Sequence, residues 1–450
     1  MLTSEPRQAY VWIWLPEDTD PTPCGVIAER KGRYSFQYGT QYLANPKAIS
    51  LFEKTLPLRR GWIDPPGAAP MALNLRDAAP DAWGRRVILD RLAGRDNIDR
   101  VDLSELTYMM ESDSNRIGAL DFQQRPDVYI PRGEEASLED LFQAARSLDE
   151  GQPLSDQMRA VLASGTGIGG ARPKATLRDG GREVIAKFST STDILPVVPA
   201  ESASMFLADK VGLRVPRSEV VEVAGRRVLI MDRFDRPGEG QRRLMVSALA
   251  ITQDEETFRP QGGYLDILDG LNTYSDGTDY GPELFERIAF NIAVTNTDDH
   301  LRNHSAFWNG QALSLTPAYD LAPGARSGDT AYLALAYSRD GQRQATFQSL
   351  IKESHEYGLT DVEAKDFVDR IIGTMNDSWN EAADHAHMTR TEQDLLWERQ
   401  FLHPATGYGM DRGIGMVSAL DTQKSGYHWV GPHMREGKPV TGHWAKNPSL

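Results

Sequence analysis

The chain holds a single cysteine, Cys24, among 450 residues. One thiol makes no intramolecular disulfide and no cysteine zinc cluster. No stretch of about 18 apolar residues occurs, so no segment has the length of a membrane-spanning helix. The opening MLTSEPRQAYVWIWLPEDTD lacks the charged start and long apolar core of a secretion signal. Positive charge is also short: 49 Lys and Arg against 64 Asp and Glu leave a net charge of −15. That balance argues against a broad nucleic-acid-binding face and leaves DNA contact to a local basic patch or a basic partner. Internal repeats and low-complexity tracts are missing as well. What remains is a soluble, cytoplasmic chain with no membrane role. Its 40% hydrophobic and 25% charged residues are those of a folded protein. At roughly 150 residues per domain, two or three domains are expected.

Residues 8 to about 60 read as β-rich. Tyr10, Val11, Trp12, Ile13 and Trp14 form a β-favouring run, and residues 33–38 alternate polar with aromatic. Between residues 81 and 92, Trp83, Val87, Ile88 and Leu92 fit one helix face. A polar break at residues 111–115 and a Pro/Arg/Gly stretch at 126–133 suggest a boundary near residue 130. Residues 137–163 read as helix. From about Gly407 the chain shows little periodicity, as of a tail ordered only by docking on the rest. The expected division is an N-terminal β-rich accessory domain (1–130), a small lobe with a glycine-rich loop (131–236), and a mainly helical lobe plus tail (237–450).

Residues 164–171 contain G-x-G-x-x-G at Gly165, Gly167 and Gly170, with Gly169 beside the last. Glycines let backbone N–H groups approach phosphate oxygens. The motif alone equally describes a plain flexible loop, so its context decides. A dinucleotide fold needs a helix next and a Walker loop needs Gly-Lys-Ser/Thr; neither follows. Instead come a strand (174–178), a tight turn at Asp179-Gly180-Gly181, and a return strand (183–188). A glycine loop in a β-hairpin with a lysine on the return strand is the arrangement of a protein-kinase small lobe. Period 2 sets Ile185 and Lys187 on one face and Val184, Ala186 and Phe188 on the other, so Lys187 points at phosphates unless it is an ordinary edge-strand lysine. Glu201 opens the next helical stretch. It is either the carboxylate partner of that lysine or an acidic residue favoured by a helix N-terminus. The strand 227–231 then runs into Asp232-Arg233-Phe234-Asp235-Arg236, a hinge where backbone groups would meet adenine.

A helix over residues 282–296 leads into Asn296-Thr297-Asp298-Asp299-His300-Leu301-Arg302-Asn303. Asp298 precedes Asn303 by the spacing of a kinase catalytic loop, where Asp handles the hydroxyl proton and Asn holds magnesium. Asn309-Gly310 between two β-like runs signals a type I′ hairpin. Its closure brings Asn303 near Asp320, placed as the second magnesium ligand; one carboxylate, one amide oxygen and phosphate oxygens suffice for that ion. A rival reading makes Asp299, His300 and His304 a zinc site, but the Glu of a His-Glu-x-x-His pattern is missing. His300 is read as a hydrogen-bonding prop of the loop, or else a proton carrier.

At this point the chain resembles the HipA family of toxin kinases, the kinase half of bacterial type II toxin–antitoxin modules. The likeness spans about residues 8–400. It rests on Gly169-Gly170-Ala171-Arg172-Pro173-Lys174-Ala175, Ile185-Ala186-Lys187, Glu201, Asp232-Arg233-Phe234-Asp235-Arg236, Asn296-x-Asp298-x-His300-x-x-Asn303 and Tyr319-Asp320-Leu321. The resemblance implies an α+β, two-lobed protein-kinase-like fold with an N-terminal β-rich accessory domain and a mainly helical C-terminal lobe. It implies ATP and Mg2+ as cofactors and Ser/Thr phosphorylation of a protein substrate, in some members an aminoacyl-tRNA synthetase. It also implies growth arrest, neutralised by a HipB-like helix-turn-helix antitoxin that represses the operon, so that DNA is met mainly through the antitoxin. By the same resemblance Lys187 and Asp298 are the catalytic pair, and Asn303 and Asp320 hold the metal. Gly165, Gly167, Gly169, Gly170, Lys187, Glu201, Asp232, Phe234 and His300 then form the nucleotide-binding set. One departure stands out. The family's autophosphorylated loop serine falls on Gly167, with Ser164 and Thr166 nearby, which puts the usual self-inactivation switch in doubt. The alternatives are a small-molecule kinase and a non-catalytic antitoxin-binding co-repressor; the intact set Lys187, Asp298, Asn303 and Asp320 weighs against the latter.

Overall fold

The run Gln8–Ile13 (β1) lies inside a four-stranded antiparallel sheet, between Thr22–Arg30 (β2) and Leu120–Gln123 (β4), with Arg33–Tyr38 (β3) outside β2. Both faces are covered, so Val11, Trp12 and Ile13 are all buried rather than alternating: Val11 and Ile13 enter the main core, and Trp12 on the other face packs against Tyr129 at 5.5 Å. The computed structural model describes residues 5–93, 103–133, 138–149, 152, 158, 174–179, 181–189, 193, 195–223, 225–254, 262–324, 326, 328–410 and four short strands within 427–446. The glycine-rich loop, with Gly165, Gly167, Gly169 and Gly170, lies outside the described residues.

A second antiparallel sheet has the order β5-β6-β8-β7, from Lys174–Asp179 (β5), Arg182–Phe188 (β6), Ser218–Val223 (β7) and Arg226–Asp232 (β8). Period 2 holds here as expected. Val184, Ala186, Phe188, Val228 and Ile230 pack on one face against Trp83 and Val87 of the Ala82–Ala93 helix and Leu141 and Ala144 of the Leu138–Asp149 helix. The opposite face, with Lys187, Leu229 and Met231, looks toward the Val197–Val211 helix and the main core. That helix stops at Gly212, whose φ of 106° closes its end in the left-handed conformation. Its first turn lies upstream of Glu201, which sits in the second turn rather than at the start: Pro196 supplies the N-cap position and the apolar run Val197-Val198 begins the helix.

The larger body is mainly helical. The Gly281–Ala293 helix is buried nearly all round, and Asp361–His385, 25 residues capped by Thr360 and Glu363, packs along Val197–Val211. A small sheet of Met245–Ser247 (β9), Ser305–Trp308 (β10) and Leu313–Leu315 (β11) carries the hairpin that follows Asn303. Trp308 pairs with Leu313, so the connection is the four-residue loop 309–312 and not a two-residue type I′ turn. The Asn309 side chain is the reason: its Oδ1 accepts from the backbone N–H groups of Gln311 and Ala312, at 2.9 and 2.8 Å, which winds a longer loop.

The whole is a two-lobed, protein-kinase-like α+β fold with a β-rich N-terminal region. Val11, Ile13 and Phe36 of that region share one continuous core with Leu284, Phe285 and Ile288 of the helical lobe. In the tail, Tyr427–Val430 (β12) pairs with His443–Lys446 (β15), and His433–Arg435 (β13) with Lys438–Val440 (β14). Strands of three or four residues are too short for the alternation by which a strand is read from sequence, which is why the tail read as irregular.

Candidate active site

Lys187 stands on a strand whose other face is packed, so its side chain has only one way to go. Its Nζ donates to Glu201 Oε1 at 2.5 Å and to Asp320 Oδ1 at 2.6 Å. Glu201 is 4% exposed and Lys187 is 8% exposed, so this ammonium and its partner are held out of water. Burial works against the Lys187 charge, but Asp320 and Glu201 outweigh it and hold its pKa above the ordinary lysine value. The Lys187 ammonium in turn holds the Asp320 carboxyl well below the usual carboxylate range, against the effect of burial, with Lys174 and His300 adding to it.

Asp320 takes a left-handed backbone, φ 58°, a conformation that Asp tolerates better than most residues. Its side chain remains 42% exposed even with Oδ1 bound to Lys187. Residues 296–303 start where the Gly281–Ala293 helix ends. Asn296 donates from its backbone N to Asn291 O at 2.9 Å and from Nδ2 to Asn291 Oδ1 at 3.0 Å. Asp298 is exposed, whereas Asp299 next to it is buried. Asp299 Oδ2 accepts from Tyr264 Oη at 2.5 Å and Asn291 Nδ2 at 2.7 Å, and lies 2.8 Å from His304 Nε2. Three donors on one buried oxygen fix the loop from within and leave Asp298 facing outward. Asn303 sits in the short 3-10 turn Leu301–Asn303 and donates from Nδ2 to Asp298 O at 3.4 Å, which turns its Oδ1 the other way.

His300 does not prop this loop. Its Nδ1 is buried without a hydrogen-bond partner among the described residues, and the propping falls to Asp299 with His304. The same contact answers the zinc reading: Asp299 and His304 serve each other and Tyr264, and among the described residues no cluster of three His, Cys, Asp or Glu side chains is set to hold a metal. The Asp232 carboxylate is engaged by Arg182 Nη1 at 3.0 Å. Phe234 packs its ring against Tyr319 at 5.7 Å and Phe307 at 6.1 Å, buttressing the segment that ends in Asp320.

The charged run after β8 is buried, not a solvated turn. Arg233 donates to Asn115 Oδ1 at 2.7 Å and to Arg116 O at 2.5 Å, and Gly118 N donates to Asp235 Oδ2 at 2.8 Å. Residues 111–115, read as a polar break, are thus a buried clasp on the hinge. Asn115 and the Ser114 carbonyl take Arg233 and Arg242, more than a hundred positions away in the chain, while Glu111 pairs with Arg91.

Two features went unread in the sequence. Lys174 lies directly opposite Lys187 in the β5–β6 register and is likewise buried; burial and the Lys187 charge lower its pKa. Like charges directly opposite one another destabilise a sheet; here the carboxylates of Asp320 and Glu201 act on both lysines and offset that repulsion. Cross-strand register was the signal that would have found it. The Tyr264–Asp299 contact had no signal at all, since the two lie 35 positions apart with helix and loop between them.

The donor set fits a metal-bound triphosphate. Asp320 and the Asn303 amide offer hard oxygens, Lys187 and Lys174 offer positive charge, and the His300 Nδ1 is left without a protein partner among the described residues. Residues 166–379 match the family described as the HipA-like C-terminal domain. HipA of Shewanella oneidensis MR-1, solved in complex with HipB and its operator DNA, is similar over 88% of this chain and 99% of that chain, with a TM-score of 0.61 and 17% sequence identity. The proinflammatory kinase CtkA of Helicobacter pylori matches 53% of this chain and 91% of its own, at a TM-score of 0.38 and 13% identity.

Proposed function

We propose that this chain, whose residues 166–379 match the HipA-like C-terminal domain family, is an ATP- and Mg2+-dependent Ser/Thr protein kinase of the HipA family, the toxin of a two-component module. The observation that carries this reading is the Lys187 ammonium held by Glu201 from one lobe and Asp320 from the other. A lysine on a small-lobe strand paired with a helix carboxylate is the arrangement that orients ATP phosphates in kinases. Asn303 and Asp320 would hold Mg2+, which supplies charge neutralisation on the phosphates when bound. Lys187, with Lys174 opposite, fixes the phosphate oxygens. Asp298, exposed at the head of a rigid loop, takes the proton of the substrate hydroxyl. The buried wall of Tyr264, Asn291, Asp299 and His304 keeps that carboxylate from wandering.

The Shewanella protein was solved with HipB and operator DNA. By extension, the partner of this chain is a HipB-like antitoxin, and the net charge of −15 favours DNA contact through that partner rather than through a broad basic face. The experiment is radiolabel transfer from ATP to proteins of a cell lysate by wild type and Asp298→Asn, beside growth on expression of each. Labelled protein and growth arrest by wild type alone support the reading. Equal labelling by both proteins removes Asp298 from the mechanism, and labelling of small molecules only would make this a metabolite kinase.

A further inference from the structure

The turn between residues 77 and 81, in the N-terminal region, reaches the back of the 296–303 loop. Asp77 Oδ1 accepts from Ser247 Oγ at 2.6 Å and Asp77 Oδ2 from Ser247 N at 2.8 Å. Ser247 caps the following helix and stands opposite Ser305 in the β9–β10 register. Ser305 Oγ lies 2.7 Å from the Tyr319 hydroxyl, which donates to Arg302 O at 2.8 Å. Four residues on from Asp77, Asp81 Oδ1 lies 3.8 Å from Arg302 Nη1, and Arg302 belongs to the same loop as Asp298 and Asn303. The charges around the turn are Arg76, 4.0 Å from Asp81, and Glu105, which is bridged by Arg76 at 3.7 Å and Arg85 at 2.5 Å. Asp81 also acts electrostatically on Lys174. Thus one short acidic turn touches the loop's backbone through Ser247, Ser305 and Tyr319, and its side chain through Arg302.

We infer that Asp77 and Asp81 are positioning residues for phosphoryl transfer, bracing the catalytic loop from the N-terminal region through Ser247 and Arg302. The inference rests on the kinase reading above and deepens it: the N-terminal region is a working part of the site. A half-buried ion pair at 3.8 Å contributes little by itself. The Asp81–Arg302 contact matters because it acts on a loop whose geometry decides the rate, where a displacement of about 1 Å costs about 100-fold.

The test uses the full chain with Asp81→Asn, Asp81→Glu, Arg302→Gln, the double variant Asp81→Asn/Arg302→Gln, and Asp77→Ala. ADP release from MgATP gives kcat and KM, and hydrogen exchange reads the amides of residues 296–305. Asp81→Asn is expected to lower kcat by about 5- to 100-fold, with KM for MgATP within about twofold and faster exchange in the loop. Asp81→Glu restores most of the rate, and the double variant is no worse than Arg302→Gln because the two share one interaction. Unchanged kcat and exchange in Asp81→Asn, or additive losses in the double variant, overturn the inference. Should Asp77→Ala fail to fold, Asp81→Asn alone decides. If wild type shows neither turnover nor a MgATP-induced thermal shift, the kinase reading falls, while loop exchange still decides whether the brace exists.

Discussion

Lys187 Nζ and Asp320 Oδ1 are 2.6 Å apart across 133 residues of chain. The pair joins a strand of the small lobe to a loop of the large one, and Glu201 makes it a three-membered group. The Val197–Val211 helix that carries Glu201 is packed along Asp361–His385 of the large lobe, with Lys210 Nζ 3.0 Å from Glu381 Oε1. The lysine and its carboxylates are therefore held together by packing between the lobes.

Removing Lys187 strands a buried carboxylate. Lys187→Met should abolish the MgATP thermal shift and, by leaving Glu201 unpaired, cost about 3–5 kcal/mol. Urea denaturation measures it. Lys187→Met/Glu201→Leu should recover most of that stability without recovering nucleotide binding.

Asp298→Asn should leave folding and nucleotide binding close to wild type, because the side chain is exposed, while lowering turnover by about 10²–10⁴, the usual worth of a positioned acid/base group. Labelled-phosphate transfer under saturating MgATP reads the loss.

Asp320→Asn and Asn303→Ala should each raise the Mg2+ concentration needed for the ATP-induced thermal shift. In wild type, ATP at 100 times its dissociation constant should stabilise the protein by about 2.7 kcal/mol. A wild-type melting curve indifferent to MgATP would count against both residues as ligands.

Asp113, in the clasp on the hinge, gives a pH signature. Burial pushes its carboxyl up to about 6, against the Asn115 backbone N–H and the charges of Arg116 and Arg233. The folded chain thus binds this proton more tightly than the unfolded one. Its contribution makes stability fall as pH rises from about 4 to about 6, by at most roughly 3 kcal/mol. Asp113→Asn should flatten the stability profile over that window relative to wild type, as read by denaturant titrations at several pH values.

A second link between the lobes joins β8 to the segment after the long helix. Arg227 Nη1 donates to Glu392 Oε2 and to His387 O, both at 2.8 Å, and Nη2 donates to Glu392 Oε1. These hydrogen bonds hold the Glu392 carboxyl at about 2. Arg227→Gln and Glu392→Gln should each cost about 1–2 kcal/mol, and the double variant little more than either, in a double-mutant cycle by urea denaturation.

Much of this was legible in short stretches. The alternation of Val184, Ala186 and Phe188 against Lys187 was readable because a strand has a fixed period and one face was apolar. The spacing from Asp298 to Asn303 was readable because both lie in one tight loop. The hairpin after Asn303 was foreseen but its turn was not, since the Asn309 side chain competes for the backbone N–H groups that a two-residue turn would arrange otherwise. The prop was assigned to His300 and belongs to Asp299, because neighbouring residues in a loop point in opposite directions and nothing local says which points inward.

By itself the sequence determined what depends on neighbours in the chain: strand faces, helix spans, the glycine and Asp–Asn spacings, and the exclusion of disulfide chemistry by one cysteine. Tertiary structure alone decided which charges meet. Lys187 with Asp320, Arg233 with Asn115, and Asp81 with Arg302 are separated by more than a hundred residues each. A charge taken out of water must find a partner, and only the packing of three distant segments says which one it finds.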